Sequence, residues 1–129
     1  DTRESSAIKI CKDLLEEGAL LYIHDPRVTA GQIENDLSKK PINKNIDIDK
    51  NESSLEGNWH YLESIYKAAE GADAIVVLTE WEVYSSIDWG IIAKKMRKPA
   101  WIFDSRSIVV KEKISKTDLN FWRIGDGED

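Results

Sequence analysis

Residues 74–78 read Ala-Ile-Val-Val-Leu, an uninterrupted apolar run in a chain of 129 residues of which 33% are charged. A strand that is covered on both faces of a parallel sheet shows such continuous rather than alternating hydrophobicity. The polar triplet Thr79-Glu80-Trp81 follows the run and ends it. We therefore predict that residues 74–78 form a parallel strand that is covered on both faces.

The segments on either side of this strand alternate between helical and strand patterns. Apolar spacing and capping signals, among them Thr29 with Gln32, predict helices at residues 6–17, 30–37 and 62–69 and a further helix that ends before Pro99. Short apolar runs predict strands at residues 20–23, 101–103 and 121–124, whereas residues 108–115 fit either a strand or a helix. This order is typical of an α/β fold with a Rossmann-like, doubly wound parallel sheet in a three-layer α/β/α arrangement.

Two features of the order define the predicted domain. The first element is a helix, although a crossover helix joins two parallel strands, so we expect the first strand of the sheet to be missing from this fragment. Residues 38–58 are polar and aperiodic, which predicts a mobile surface insertion. The length suits one hydrophobic core, and the prediction is a single domain over residues 1–129.

The composition limits the classes of function. The chain has 24 acidic and 18 basic residues and a net charge of -6, which disfavours a broad grip on nucleic-acid phosphates. No apolar run approaches the roughly 20 residues of a membrane span. Cys11 is the single cysteine, which fits a reducing cytoplasm. We expect a cytoplasmic domain that binds neither nucleic acid nor membrane.

Polar clusters stand where an open α/β sheet collects its ligands, at the carboxyl ends of the strands and the start of the first helix. Two of the clusters contain an arginine, Arg3 or Arg106, whose guanidinium can form paired hydrogen bonds with a phosphate. The pattern favours a phosphate-bearing ligand. The four clusters are Asp1-Thr2-Arg3-Glu4-Ser5-Ser6, His24-Asp25-Pro26, Thr79-Glu80-Trp81 and Asp104-Ser105-Arg106.

The same residues also have purely structural interpretations. Arg3 suits a surface or capping position, and Arg106 suits a surface position just after a buried strand. Asp25 before Pro26 suits a turn as well as a ribose contact. Glu80 suits local capping and packing. The residue types alone leave these alternatives open.

Three other residues that often carry chemistry are expected to be structural here. His24 and His60 lack the spacing of metal ligands, so no metal site is predicted. Cys11 lies on the apolar face of the first predicted helix and is expected to be an inert core thiol. The chain also lacks a Gly-x-Gly-x-x-Gly sequence and a phosphate-binding Walker loop, so no catalytic residue is predicted in it.

Three segments of the chain carry a family resemblance. They are Asp1-Thr2-Arg3-Glu4-Ser5-Ser6, residues 66–81, and Pro99-Ala100-Trp101-Ile102-Phe103-Asp104-Ser105-Arg106. Together and in this order they resemble the C-terminal, UDP-binding domain of the UDP-glucose/GDP-mannose dehydrogenase family, and Thr79-Glu80-Trp81 is similar to the branch that acts on UDP-glucose. Ser6 and Ser105 depart from the proline and the glycine that many relatives carry, and Ser105 is expected to affect how closely the backbone approaches a ligand.

The resemblance implies an activity and a division of labour. Enzymes of this branch oxidise UDP-glucose to UDP-glucuronate with two NAD, through a cysteine-bound intermediate. The resemblance also implies that Arg106 contacts the UDP-sugar and that Arg3 reaches NAD. The nucleophile and most NAD contacts belong to the N-terminal and central domains of the same enzyme, so this chain alone is expected to be inactive. A homo-oligomer is also implied. The alternatives are a sister dehydrogenase for another nucleotide sugar and a stand-alone α/β nucleotide-binding module.

Overall fold

The computed structural model describes residues 6–41 and 57–123. Its strands form a two-stranded and a three-stranded parallel sheet, so the predicted α/β class is confirmed. In chain order the elements are α1 (Ser6–Glu16), β1 (Leu20–Ile23), α2 (Ala30–Leu37), β2 (Asn58–Tyr61), α3 (Ile65–Ala69), β3 (Ala74–Val77), a 3-10 helix (Glu82–Ser86), α4 (Trp89–Lys95), β4 (Trp101–Asp104), α5 (Lys111–Ile114) and β5 (Asn120–Arg123).

The chain divides into two compact units, Asp1–Ser64 and Ile65–Asp129. The prediction that residues 1–129 form a single domain stays a prediction. The segment before α1 lies outside the described residues, so the strand expected to precede that helix also stays a prediction. Within the described ranges, no helix is both long enough and apolar enough to cross a bilayer.

The first unit is a β-α-β arrangement preceded by a helix. β1 and β2 pair in parallel, with Leu20 opposite Asn58 and Ile23 opposite Tyr61, and α2 connects them in the chain. Gly18 follows α1 with a φ of 92°, a backbone conformation that glycine adopts at little cost and that commonly ends a helix. The predicted helices α1 and α2 and the predicted strand β1 are confirmed.

The start of α2 and the core beneath it follow from local chemistry. Thr29 caps the helix, because its side-chain oxygen accepts a hydrogen bond from the backbone amide of Gln32 at 3.1 Å. Trp59 on β2 is fully buried, and its indole Nε1 donates to the Lys39 carbonyl at 2.8 Å. The core of the unit therefore has a bulky apolar ring whose polar atom is satisfied. Its other buried members are Leu15, Ile33 and Leu37.

Gly57 lies where the backbone leaves no room for a side chain. Its amide donates to the Leu15 carbonyl at 2.7 Å. A Cβ added at this position would stand 1.7 Å from the carbonyl oxygen of Ala19, a distance that real contacts never reach. Only glycine fits the close approach of these two backbone segments.

β2 corrects the prediction for the middle of the chain. The sequence pattern predicts that Asn58 belongs to the insertion over residues 38–58 and that the following helix covers residues 62–69. The structure has a strand at Asn58–Tyr61 and only a short α3 at Ile65–Ala69. The strand gains its hydrogen bonds from β1, so its local sequence needed no strong pattern of its own. Residues 42–56 of the predicted insertion lie outside the described residues.

The second unit contains the sheet β3-β4-β5, in which both pairs of neighbours are parallel. Asp88 caps α4 through a hydrogen bond from the Ile91 amide to its carboxylate at 3.2 Å. The ambiguous stretch at residues 108–115 resolves as the short helix α5 at Lys111–Ile114, and the last strand begins one residue earlier than predicted. Ile92, Ala100 and Ile102 are fully buried at the centre of the core.

The two faces of this sheet differ in burial, which corrects the prediction that the strand at residues 74–78 is covered on both faces. Val77 and Ile102 face the core and are 6% and 0% exposed. On the opposite face, Val76, Trp101 and Trp122 are 38%, 38% and 55% exposed. The register places Val76 and Trp122 on either side of Phe103, so the exposed apolar side chains are neighbours on one surface.

Candidate functional site

Two of the predicted polar clusters meet at the carboxyl ends of neighbouring strands in the second unit. Residues 79–81 follow β3, and residues 104–106 are the last residue of β4 and the two residues after it. The two strands pair in parallel. Arg106 Nη2 lies 2.9 Å from Glu80 Oε1, and the two side chains are 42% and 60% exposed. The structure thus brings Arg106 and Glu80 together at the edge where the sequence predicted a ligand.

Asp104 fixes the backbone from which Arg106 extends. This aspartate is 0% exposed, and one carboxylate oxygen accepts a hydrogen bond from the Arg106 amide at 2.9 Å. The other oxygen accepts from the Val109 amide, also at 2.9 Å. We call residues 105–109 the β4 loop. A single buried carboxylate therefore holds the loop near both of its ends.

Arg123 on β5 is the counter-charge of Asp104. Its Nη2 lies 3.5 Å from Asp104 Oδ2 and donates a hydrogen bond to the Val109 carbonyl at 2.6 Å. Its guanidinium carbon stands 5.3 Å from the centre of the Phe121 ring. A buried carboxylate is costly unless it is paired and hydrogen-bonded, and Arg123 supplies the pair.

Arg123 is not among the sequence-predicted site residues. The signal that could have revealed it is the strand register, because Asp104 and Arg123 occupy opposite positions on β4 and β5. Neighbours in register point to the same face of a sheet. Without the register, an arginine at the end of an apolar strand looks like a boundary residue.

The two serines of the β4 loop differ in conformation. The Ser105 amide and hydroxyl both donate to the Val77 carbonyl, at 3.1 and 2.8 Å, so Ser105 ties the loop to the end of β3. Ser107 has a φ of 59°, in the left-handed region that glycine favours. The position with unusual backbone geometry is therefore Ser107 rather than Ser105.

The cluster that follows β1 belongs to the first unit and has the character of a turn. Asp25 is 6% exposed and its carboxylate accepts from the Arg27 amide at 2.8 Å. The Tyr61 hydroxyl donates to the Asp25 carbonyl at 3.3 Å. Burial lowers the pKa of His24, and the nearby charge of Asp25 offsets this only in part, so the imidazole is neutral at pH 7. These contacts favour the turn interpretation of Asp25.

The described part of the chain offers neither a reactive thiol nor a metal site. Burial raises the pKa of the Cys11 thiol to about 11, so it stays protonated at neutral pH. In residues 6–41 and 57–123, no group of three His, Cys, Asp or Glu side chains is placed to hold a metal ion. Arg3 lies outside the described residues, and its contact with NAD stays a prediction.

Comparison with known proteins gives a consistent picture. Residues 1–111 match the family described as UDP-glucose/GDP-mannose dehydrogenase family, UDP binding domain. The chain is 41% identical to UDP-glucose 6-dehydrogenase of Bos taurus over 109 residues, which cover 84% of the chain and 21% of that protein. It is 37% identical to UDP-glucose 6-dehydrogenase 4 of Arabidopsis thaliana over 131 residues, covering 97% of the chain and 26% of that protein.

Proposed function

The chain belongs to the UDP-binding domain of the UDP-glucose/GDP-mannose dehydrogenase family, and from this premise we propose that it binds the UDP part of a nucleotide sugar through Arg106. The observation that carries the proposal is the place of Arg106. It extends from a loop fixed by the buried Asp104, at the carboxyl edge of a parallel sheet. There it meets Glu80, a residue that follows the neighbouring strand.

The guanidinium of Arg106 suits a diphosphate for a physical reason. It is planar, permanently charged and carries donors in a fork that matches two phosphate oxygens. Its partner Glu80 is 60% exposed, so the ion pair between them is screened by water and readily exchanged. A phosphate that approaches Arg106 replaces a weak exposed partner with a more highly charged one.

We further propose that the protein carrying this chain is a UDP-glucose 6-dehydrogenase that converts UDP-glucose to UDP-glucuronate with two NAD. The support is the name shared by the relatives, of which the chain spans about a fifth to a quarter. NAD accepts the hydrides, and Arg3 is the residue of this chain proposed to reach it. The N-terminal and central domains of the same protein are the proposed partners, in a cytoplasmic homo-oligomer.

The chain alone is expected to bind UDP and to turn over nothing. The residues offer no cofactor fingerprint, and the pKa of about 11 keeps the Cys11 thiol from acting as a nucleophile. Purified chain, mixed with UDP-glucose and NAD, should produce no NADH by absorbance. The full-length protein should produce it with UDP-glucose faster than with other nucleotide sugars. A preference of the full-length protein for a different nucleotide sugar would favour the sister-enzyme alternative. Failure of the chain to bind UDP would refute the proposed function.

A further inference from the structure

The contacts around Asp104 join Arg106 to a residue on the far strand of the sheet. Asp104 accepts hydrogen bonds from the amides of Arg106 and Val109, and Arg123 approaches the same carboxylate. Arg123 also donates to the Val109 carbonyl. The Arg123 side chain is only 20% exposed, so water screens these contacts little.

The Arg123 side chain is directed both at Asp104 and at the β4 loop. Its Nη2 lies 3.5 Å from Asp104 Oδ2 and donates a hydrogen bond to the Val109 carbonyl at 2.6 Å. Arg123 therefore contacts both the Asp104 carboxylate, which holds the β4 loop, and the backbone of the loop itself.

We propose that Arg123 is a positioning residue for nucleotide recognition, which sets the direction of Arg106 by neutralising Asp104 and anchoring Val109. The proposal rests on the proposed function of Arg106 as the diphosphate contact. Arg123 acts through the β4 loop and does not contact the ligand. Its removal leaves Asp104 without a counter-charge, and the carboxylate then no longer holds the loop in one conformation.

The test is a double-mutant cycle in the full-length protein, with UDP as the titrated probe. The variants are Arg123→Met, Arg106→Ala and the double variant, each measured by calorimetric titration beside a melting curve. Arg123→Met should weaken UDP binding by about threefold to tenfold, the range of a single hydrogen bond. In the Arg106→Ala background, Arg123→Met should have no further effect, because the residue it positions is gone.

Charge rescue and a matched control complete the design. Arg123→Lys keeps the charge and should recover most of the UDP affinity. Arg97→Met removes the same charge from an ion pair with Asp73, in which both side chains are 73% to 74% exposed, and should leave UDP affinity unchanged. If Arg123→Met does not fold, Arg123→Gln takes its place, with the same expected direction and the same cycle.

The outcomes separate the two proposals. Equal losses from Arg123→Met in the wild-type and Arg106→Ala backgrounds would overturn the inference, because they indicate a direct ligand contact or a general loss of structure. Normal UDP affinity in a folded Arg123→Met protein would overturn it as well, provided that Arg106→Ala weakens binding. If Arg106→Ala itself binds UDP normally, the proposed function of Arg106 fails first, and the inference fails with it.

Discussion

Replacing Arg106 with alanine in the full-length protein tests the proposed site most directly. The Arg106–Glu80 pair is exposed on both sides, so its loss should change the free energy of unfolding by only about 0 to 1 kcal/mol. A guanidinium that is hydrogen-bonded to a charged ligand contributes about 1.5 to 3 kcal/mol. Arg106→Ala should therefore weaken UDP binding roughly tenfold to a hundredfold while the protein melts almost as before.

Calorimetric titrations of UDP and NAD, run separately beside a melting curve, distinguish the possible roles of Arg106. Affinity for NAD should change much less than affinity for UDP. Arg106→Lys should recover only part of the loss, because an ammonium keeps the charge but not the fork. Normal UDP affinity in a stably folded Arg106→Ala protein would remove Arg106 from the site. Parallel losses of stability and of both ligands would make it a packing residue.

Other predictions concern the first unit. Gly57→Ala should lower the free energy of unfolding by about 1 to 3 kcal/mol in urea titrations, because its methyl group would overlap the Ala19 carbonyl, and an unchanged midpoint would contradict this. Thr29→Ala should cost about 1 kcal/mol through loss of the α2 cap, and Thr29→Ser should restore it. Native Cys11 should react with iodoacetamide far more slowly at pH 8 than in urea, since a pKa of about 11 leaves roughly a thousandth of it as thiolate; equal rates would refute its burial.

The elements that the sequence predicted well are those with strong local signals. The Thr29 cap predicts the start of α2, and the continuous apolar run that begins at Ala74 predicts β3; each signal lies within a few residues. β2 lacks such a signal, because its hydrogen bonds come from a partner strand 38 positions earlier in the chain, as the pairing of Leu20 with Asn58 shows. Long-range pairing of this kind leaves little trace in a four-residue segment.

The candidate site shows the same division. Arg106 is a predicted site residue and Glu80 belongs to a predicted polar cluster, because each follows a recognisable strand, and the structure places their side chains in contact. The link from Arg123 to Asp104 depends on which residues of β4 and β5 stand opposite each other. Local spacing does not encode that register, since it is set by the packing of the whole sheet.

The distribution of tryptophans gives each compact unit its own optical reporter. Trp59 in the first unit and Trp89 in the second are 0% and 2% exposed, so the emission of each should shift to longer wavelength when its surroundings unfold. Trp101 and Trp122 already meet solvent in the native protein and contribute mainly a constant background. One variant would keep only Trp59 and another only Trp89, with phenylalanine at the other tryptophan positions. Denaturing each variant under the same conditions would follow the two halves of the chain separately. Coincident curves would identify a single cooperative unit of folding, and separated curves two.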